Sequence, residues 1–360
     1  MYIESSTLPN REATIIVTRK EVAQLAGVSE ATISRVFNGV GPIREATKRR
    51  VLDAARELNY YPNAIAQSFA RKKSGNIGVV IPYVPKVHLF STYYFSEILS
   101  GIGEQVKAMG YDVLLLFRHM DESLDYSHYF LSQKIDCCVI LGSRDVPEEK
   151  EALVRLSEAG HPFCLINQRF DGLPFNGVDA DHVQGSRDAV RHLVGQGMTR
   201  IAFLNGPSAY SNSADREAGC RAALADAGLP FRAEWRITGN YSRKSGYVSA
   251  AEAGRLIREE GVQAIVAGND RMAIGLVQGL AEQGLQAGHD YAIVGCDNSD
   301  AATLLPSPLT SVKVPFYEMG KLASERIIQQ VTGSQDSLPF EIKCPTELIV
   351  RASSRLASAK

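Results

Sequence analysis

Seven short apolar runs constrain this chain more than any other feature: NIGVVIP (76–82), DVLLLF (112–117), DCCVILG (136–142), PFCLIN (162–167), RIAFLNG (200–206), QAIVAG (263–268) and YAIVGC (291–296). Each is rich in Val, Ile, Leu or Ala and too short for a stable helix, and stretches of helical period such as residues 95–109 lie between them. Strands that are apolar almost throughout are buried on both faces, the condition of a parallel sheet flanked by helices. The spacing predicts an α/β sheet architecture. Ligands of such sheets bind beyond the carboxyl ends of the strands. Pro82, Asn167, Asn205, Asn269 and Asp297, which end or directly follow the runs, are therefore the default site candidates.

A different pattern precedes the first run. In EVAQLAGVSEATISRVFN, residues 21–38, Val22, Ala23 and Ala26 share one side of a short helix, Gly27 supplies a turn, and Ser29 is suited to N-cap a second helix. Ile33, Val36 and Phe37 point inward on that second helix, which leaves Glu30, Ala31, Ser34, Arg35 and Asn38 on the other face. A third helix over residues 45–59 offers Val51, Ala55 and Leu58 to the same small core. This is an all-α helix-turn-helix head, whose second helix is of a size to enter a major groove. Residues 18–75 carry eleven Lys or Arg against five acids, while the whole chain is net −1. A basic head on an acidic body suits a polyanion partner.

The head resembles the DNA-binding head of the lactose-repressor/galactose-repressor (LacI/GalR) family of bacterial transcription regulators. TRKEVAQLAGVSEATISRVFNG and TKRRVLDAARELNYYPNAIAQSFA carry the likeness, which extends from Thr18 to about Arg355. The resemblance implies double-stranded DNA, a palindromic operator, as partner. Glu30, Ala31 and Arg35 would read bases, Arg35 by a bidentate bond to guanine, and Thr18, Ser34, Asn38 and Thr47 would hold phosphates. Residues 63–70 match the family's hinge helix, which folds on DNA and pairs with its twin in the minor groove. Asn63, Ala66 and Phe69 are its contact positions, with Phe69 where relatives commonly wedge a leucine. Two departures stand out: Arg44 replaces the usual serine cap of the third helix, and Glu30 replaces an uncharged or aromatic residue.

The body resembles periplasmic sugar-binding proteins in the same way, with two parallel-sheet subdomains and an effector in the cleft. The implied domains are a flexible extension 1–17, the head 18–62, hinge and linker 63–75, and a core 76–355 with crossovers near 178, 312 and 340. The implied effector set is Tyr83, Asn167, Arg216, Tyr241, Asn269, Asp297 and Phe316. Arginine, asparagine and aspartate would bond ring hydroxyls, and the aromatic residues would stack on the ring or cap it. Asp270 is read as the cap of a helix that begins at Arg271.

No GxSxG elbow or GxxxxGK[ST] loop is present, and the glycines near Gly101 fall inside a helical pattern, so the chain does not read as an enzyme. The histidines show no metal-binding spacing, no cofactor is implied, and the six cysteines read as buried thiols. No apolar stretch is long enough for a membrane span, and the start lacks a secretion pattern, which reads as cytoplasmic. The resulting expectation is a homodimeric operator-binding repressor controlled by a small sugar or sugar phosphate. A regulator of the same family answering to a purine, another corepressor or a partner protein stays open. A sugar-binding transport protein is the alternative of another class, disfavoured by the basic head and the missing signal.

Overall fold

The computed structural model describes residues 17–63, 73–83, 92–119, 124–333 and 338–356. The chain divides into two compact units, Met1–Ser74 and Gly75–Lys360.

In the first unit, three helices, α1 (Arg19–Ala26), α2 (Glu30–Asn38) and α3 (Glu45–Glu57), enclose Val22, Ala23, Ala26, Ile33, Val51, Ala54 and Ala55. Alanine at four of these seven positions lets the helices approach closely enough for so small a core to exclude water. Phe37 and Tyr60 close its rim, their rings 5.8 Å apart. Thr18 starts α1 through a reciprocal capping box with Glu21. Gly27 ends it at φ +63°, a left-handed turn that glycine adopts without steric cost. Ser29 then caps α2 by accepting from the Thr32 amide at 3.2 Å. Arg44 gives α3 no side-chain cap, which leaves the charge of Glu45 to favour that helix start.

The second unit holds twelve strands among the described residues: β1 (Asn76–Tyr83), β2 (Asp112–His119), β3 (Cys137–Leu141), β4 (Phe163–Ile166), β5 (Asn176–Ala180), β6 (Ile201–Asn205), β7 (Arg236–Thr238), β8 (Ala264–Ala267), β9 (Ala292–Asp297), β10 (Thr310–Lys313), β11 (Glu341–Cys344) and β12 (Glu347–Ile349). They form two six-stranded sheets, ordered β11-β5-β4-β3-β1-β2 and β12-β10-β9-β8-β6-β7. Every pairing is parallel except β10 with β12. All seven runs singled out in the sequence are strands. The six cysteines are free and buried.

The chain passes between the sheets after β5, after β10 and between β11 and β12, that is at residues 181, 314–315 and 345–346. These points lie two to six residues beyond 178, 312 and 340, because each strand runs on before the chain leaves its sheet. The crossings are tied together: the Asp181 amide donates to the Cys344 carbonyl at 2.8 Å, and Thr346 Oγ1 donates to the Asp181 carbonyl at 3.1 Å. Helices Tyr93–Ala108 and Phe316–Thr332 cover one face of the first sheet and pack backbone to backbone. A Cβ on Gly101 would lie 2.0 Å from the Tyr317 carbonyl oxygen, and one on Gly320 would lie 2.3 Å from that of Ile98. Gly101 is a helix-packing glycine.

Candidate nucleic-acid interface and ligand cleft

In the head, Glu30, Ala31 and Arg35 are exposed along one side of α2, while Ser34 and Asn38 are half-buried beside them. Asn38 Nδ2 donates to Ser34 Oγ at 3.1 Å, one turn apart on the helix. Thr18, Lys20, Glu30, Ser34, Asn38 and Asn63 share the walls of a shallow concavity of about 300 Å³. Sequence reasoning missed a constraint on Glu30: Arg19 Nε donates to its Oε2 at 3.2 Å, so the carboxylate has a partner within the head. Thr18 is likewise occupied, its hydroxyl and amide both donating to Glu21 Oε2 at 2.8 and 2.6 Å. Thr47 is half-buried in the first turn of α3. Among the described residues Arg35, Arg49, Arg50 and Lys20 make no ion pair, and Arg35 is the one on the α2 face. Ala66 and Phe69 lie outside the described residues.

In the second unit, the strand ends converge where the two sheets face each other. Among the described residues, six other than glycine have positive φ, and three of them are predicted site residues: Asn167 (+62°), Tyr241 (+65°) and Asp297 (+112°). Backbone strain of this kind concentrates at ligand sites. Asn167 Oδ1 lies 2.5 Å from His182 Nε2. His182, which the sequence reading left without a role, is buried and held well below its usual pKa, first by burial and then by Arg216, Arg169 and Lys343. It is therefore neutral, and its Nδ1 has no hydrogen-bond partner among the described residues.

Arg216 is 4% exposed, yet it makes no ion pair among the described residues. Its Nη1 donates to Tyr241 Oη at 3.1 Å and its Nε is unpartnered. A buried guanidinium stays protonated and demands acceptors. Asp297 supplies charge nearby: burial, followed by the proximity of Asp270, pushes its carboxyl well above the usual range, and Arg216 and Arg271 pull it back. Asp270 is pushed up to about 6, chiefly by burial.

Several expected roles change in the structure. Asn269, not Asp270, caps the helix Asp270–Ala281: its Oδ1 accepts from the Met272 amide at 2.9 Å while its Nδ2 donates to the Tyr241 carbonyl at 3.1 Å. Asp270 instead accepts from the Ser299 amide, Ser299 Oγ and Ser311 Oγ. Phe316, expected to cap a ligand ring, is 2% exposed and packs edge-on against Tyr94 at 5.1 Å and Tyr93 at 6.2 Å, because it opens a helix that faces the core. Tyr83 is 42% exposed, and its ring sits 4.5 Å from that of His119. Asn205 turns inward, donating to the Ser213 carbonyl and accepting from the Gly206 amide.

Direct bonds lace the two sides of the cleft. Arg169, just beyond β4, grips Asp215 on the helix Ser211–Asp226 through Nη1 at 2.7 Å and Nη2 at 2.6 Å, and also reaches Asp179 at 3.1 Å. The Ser211 amide donates to Gln168 Oε1, the Arg169 amide to Ser211 Oγ, Asn212 Nδ2 to the Asn167 carbonyl and the Asp145 amide to the Ala209 carbonyl. No local pattern in the sequence pairs Arg169 with Asp215, because Arg169 follows a strand of the first sheet and Asp215 lies on the helix after β6 of the second.

Comparison with known proteins agrees with this architecture. Residues 18–63 match the family described as bacterial regulatory proteins, lacI family, and residues 190–354 match a periplasmic-binding-protein-like domain. Catabolite control protein A of Priestia megaterium is 32% identical over 343 residues, spanning 94% of this chain and 99% of that protein. A solved lac repressor dimer bound to operator and the anti-inducer ONPF aligns with a TM-score of 0.79 at 27% identity, over 94% of this chain and 99% of the other. A complex of the transcriptional regulator CelR with cellobiose gives 0.72 at 29% identity over the same shares.

Proposed function

The chain belongs to the lacI family of bacterial regulatory proteins, and from that premise we propose that it is a cytoplasmic homodimeric repressor controlled by a small sugar or sugar phosphate in the core cleft. The observation that carries the ligand reading is Arg216: a buried guanidinium with an unpartnered Nε, close enough to the strained, buried Asp297 for their charges to act on each other. A donor and an acceptor so placed suit vicinal hydroxyls, which give and accept hydrogen bonds at adjacent carbons.

On the DNA side the reading rests on the exposed Glu30, Ala31 and Arg35 of α2. Arg35 reads a guanine in the major groove, and the other unpaired cations of the head hold phosphates. Glu30 acts less as an independent reader than as a partner of Arg19. Two heads on one palindrome require a dimer. A stripe of Val113, Leu115 and Phe117 along the edge strand β2, each 36–43% exposed, supports one, since an apolar edge of this kind invites a second chain. Effector binding shifts the balance between closed and open clefts and, through the dimer, the pairing of the two heads on DNA.

The test is the melting temperature of the full chain against mono- and disaccharides, their phosphates and purines, beside an Arg216→Ala/Asp297→Ala variant. A ligand at about one hundred times its Kd stabilises by about 2.7 kcal/mol, a readable shift. One sugar that raises the wild type and not the variant supports the reading. A purine or another metabolite as the sole hit replaces it.

A further inference from the structure

The phenol of Tyr241 lies inside the cleft as a bound ligand would. Its hydroxyl stands 2.5 Å from Ser213 Oγ, 2.8 Å from Asn212 Oδ1 and 3.1 Å from Arg216 Nη1. Its ring rests on Gly206, where a Cβ would come within 2.1–2.5 Å of three ring carbons, and Tyr210 meets it edge-on at 5.8 Å. The backbone of Tyr241 is pinned in the left-handed region at φ +65°, with Asn269 Nδ2 holding its carbonyl. Stacking on a ligand needs only the ring of an aromatic residue, not its hydroxyl. This one spends its hydroxyl on the same arginine that a ligand hydroxyl would use.

We propose that Tyr241 is a built-in occupant of the cleft, its six-membered ring and single hydroxyl filling a subsite for a second hydroxylated ring and so restricting the effector to one ring. The inference rests on the reading of the cleft as a saccharide site. The polar capacity left over is small: Arg216 Nε and His182 Nδ1 have no hydrogen-bond partner among the described residues, and the buried Asp297 carboxyl adds one more polar group. That set engages a few hydroxyls of one pyranose-sized ring, while the Tyr241 side chain fills the place of another.

Tyr241→Gly tests this, because glycine tolerates the positive φ and removes the whole side chain. The probes are p-cresol, the excised side chain itself, and toluene, its analogue without the hydroxyl, titrated calorimetrically into the full-length protein. The variant is expected to bind p-cresol, and toluene about tenfold or more weakly, since a hydrogen bond to a charged group is lost. The wild type is expected to bind neither, and Tyr241→Gly/Arg216→Met to lose the preference. A folded variant that binds neither probe, or both equally, overturns the proposal. Should the glycine variant purify unfolded, p-cresol in the refolding buffer restores the native circular-dichroism spectrum, and failure to do so overturns the proposal equally. Cellobiose gives the saccharide arm: the variant gains at least about tenfold in affinity over the wild type. An unchanged affinity in a variant that binds p-cresol overturns the size limit. A wild type that responds to sugars while the variant ignores p-cresol removes the occupant and leaves the sugar reading standing.

Discussion

Replacing Arg169 by methionine keeps the length of its stem and removes the fork that joins the two sides of the cleft. Two guanidinium nitrogens at 2.7 and 2.6 Å from the two carboxylate oxygens of Asp215 make a bidentate pair, with Asp179 as a third charge at 3.1 Å. The carboxylates are 10% and 13% exposed, so removal of the cation strands two nearly buried anions. Breaking a fully buried pair costs about 3–5 kcal/mol and an exposed one about 0.2–1 kcal/mol. Arg169 itself is 38% exposed, so water screens part of the interaction and the expected loss is about 2 kcal/mol. The assay is a double-mutant cycle of Arg169→Met, Asp215→Asn and both together, by urea unfolding followed through Trp235, the single tryptophan. A coupling energy of about 1 kcal/mol or more is expected. A coupling below about 0.3 kcal/mol would refute the latch, because the two residues would then behave as independent sites.

Arg35→Ala is expected to relax discrimination at one base pair of each half-site by about 1–3 kcal/mol, measured by competition between operator variants at fixed salt. Gly101→Ala forces a Cβ into the Tyr317 carbonyl, where backbone must yield, and should cost about 2 kcal/mol or more in the thermal unfolding of the core. For pH, the folded pKa of Asp270, about 6, exceeds the unfolded value. The folded chain therefore holds a proton that the unfolded chain has lost, and stability falls by up to about 3 kcal/mol as pH rises between about 4 and 6. Asp297 is pushed the same way, by burial and then by Asp270, so Asp297→Asn, which removes that buried carboxyl, should lose stability in thermal melts less steeply than the wild type as pH rises. His182 works oppositely, its depressed pKa lowering stability as pH falls below about 6.5, but it is common to both proteins and cancels in the comparison.

The strands legible in the sequence were those apolar almost throughout; six of the seven are buried on both faces, while β2, an edge strand, leaves Val113, Leu115 and Phe117 partly exposed. The five missed, NGVDA, RIT, TSVK, EIKC and ELI, are sheet edges or lie next to them, where short strands with mixed apolar and polar residues suffice. Helix caps written in local sequence, such as Ser29, were legible, because a cap bonds within three residues. The site was legible only in part. Arg216 and Asp297 follow from family likeness and strand-end position. The capture of Tyr241 by Ser213, the pairing of Arg169 with Asp215 and the inward turn of Phe316 depend on which elements the folded chain brings together, and no local pattern encodes them. The choice between Asn269 and Asp270 as helix cap was a one-residue question, decided by Ser299 beyond β9 and Ser311 on β10 reaching Asp270 from about thirty and forty residues away.

The most direct test of the account is selection of binding sites from random duplex DNA by the purified full-length protein, with Arg35→Ala run in parallel. The account predicts enrichment of one palindromic sequence with two half-sites, and loss of preference at a symmetric pair of positions in the variant. Recovery of random sequence by the wild type would contradict it. So would a single enriched site that Arg35→Ala reads identically.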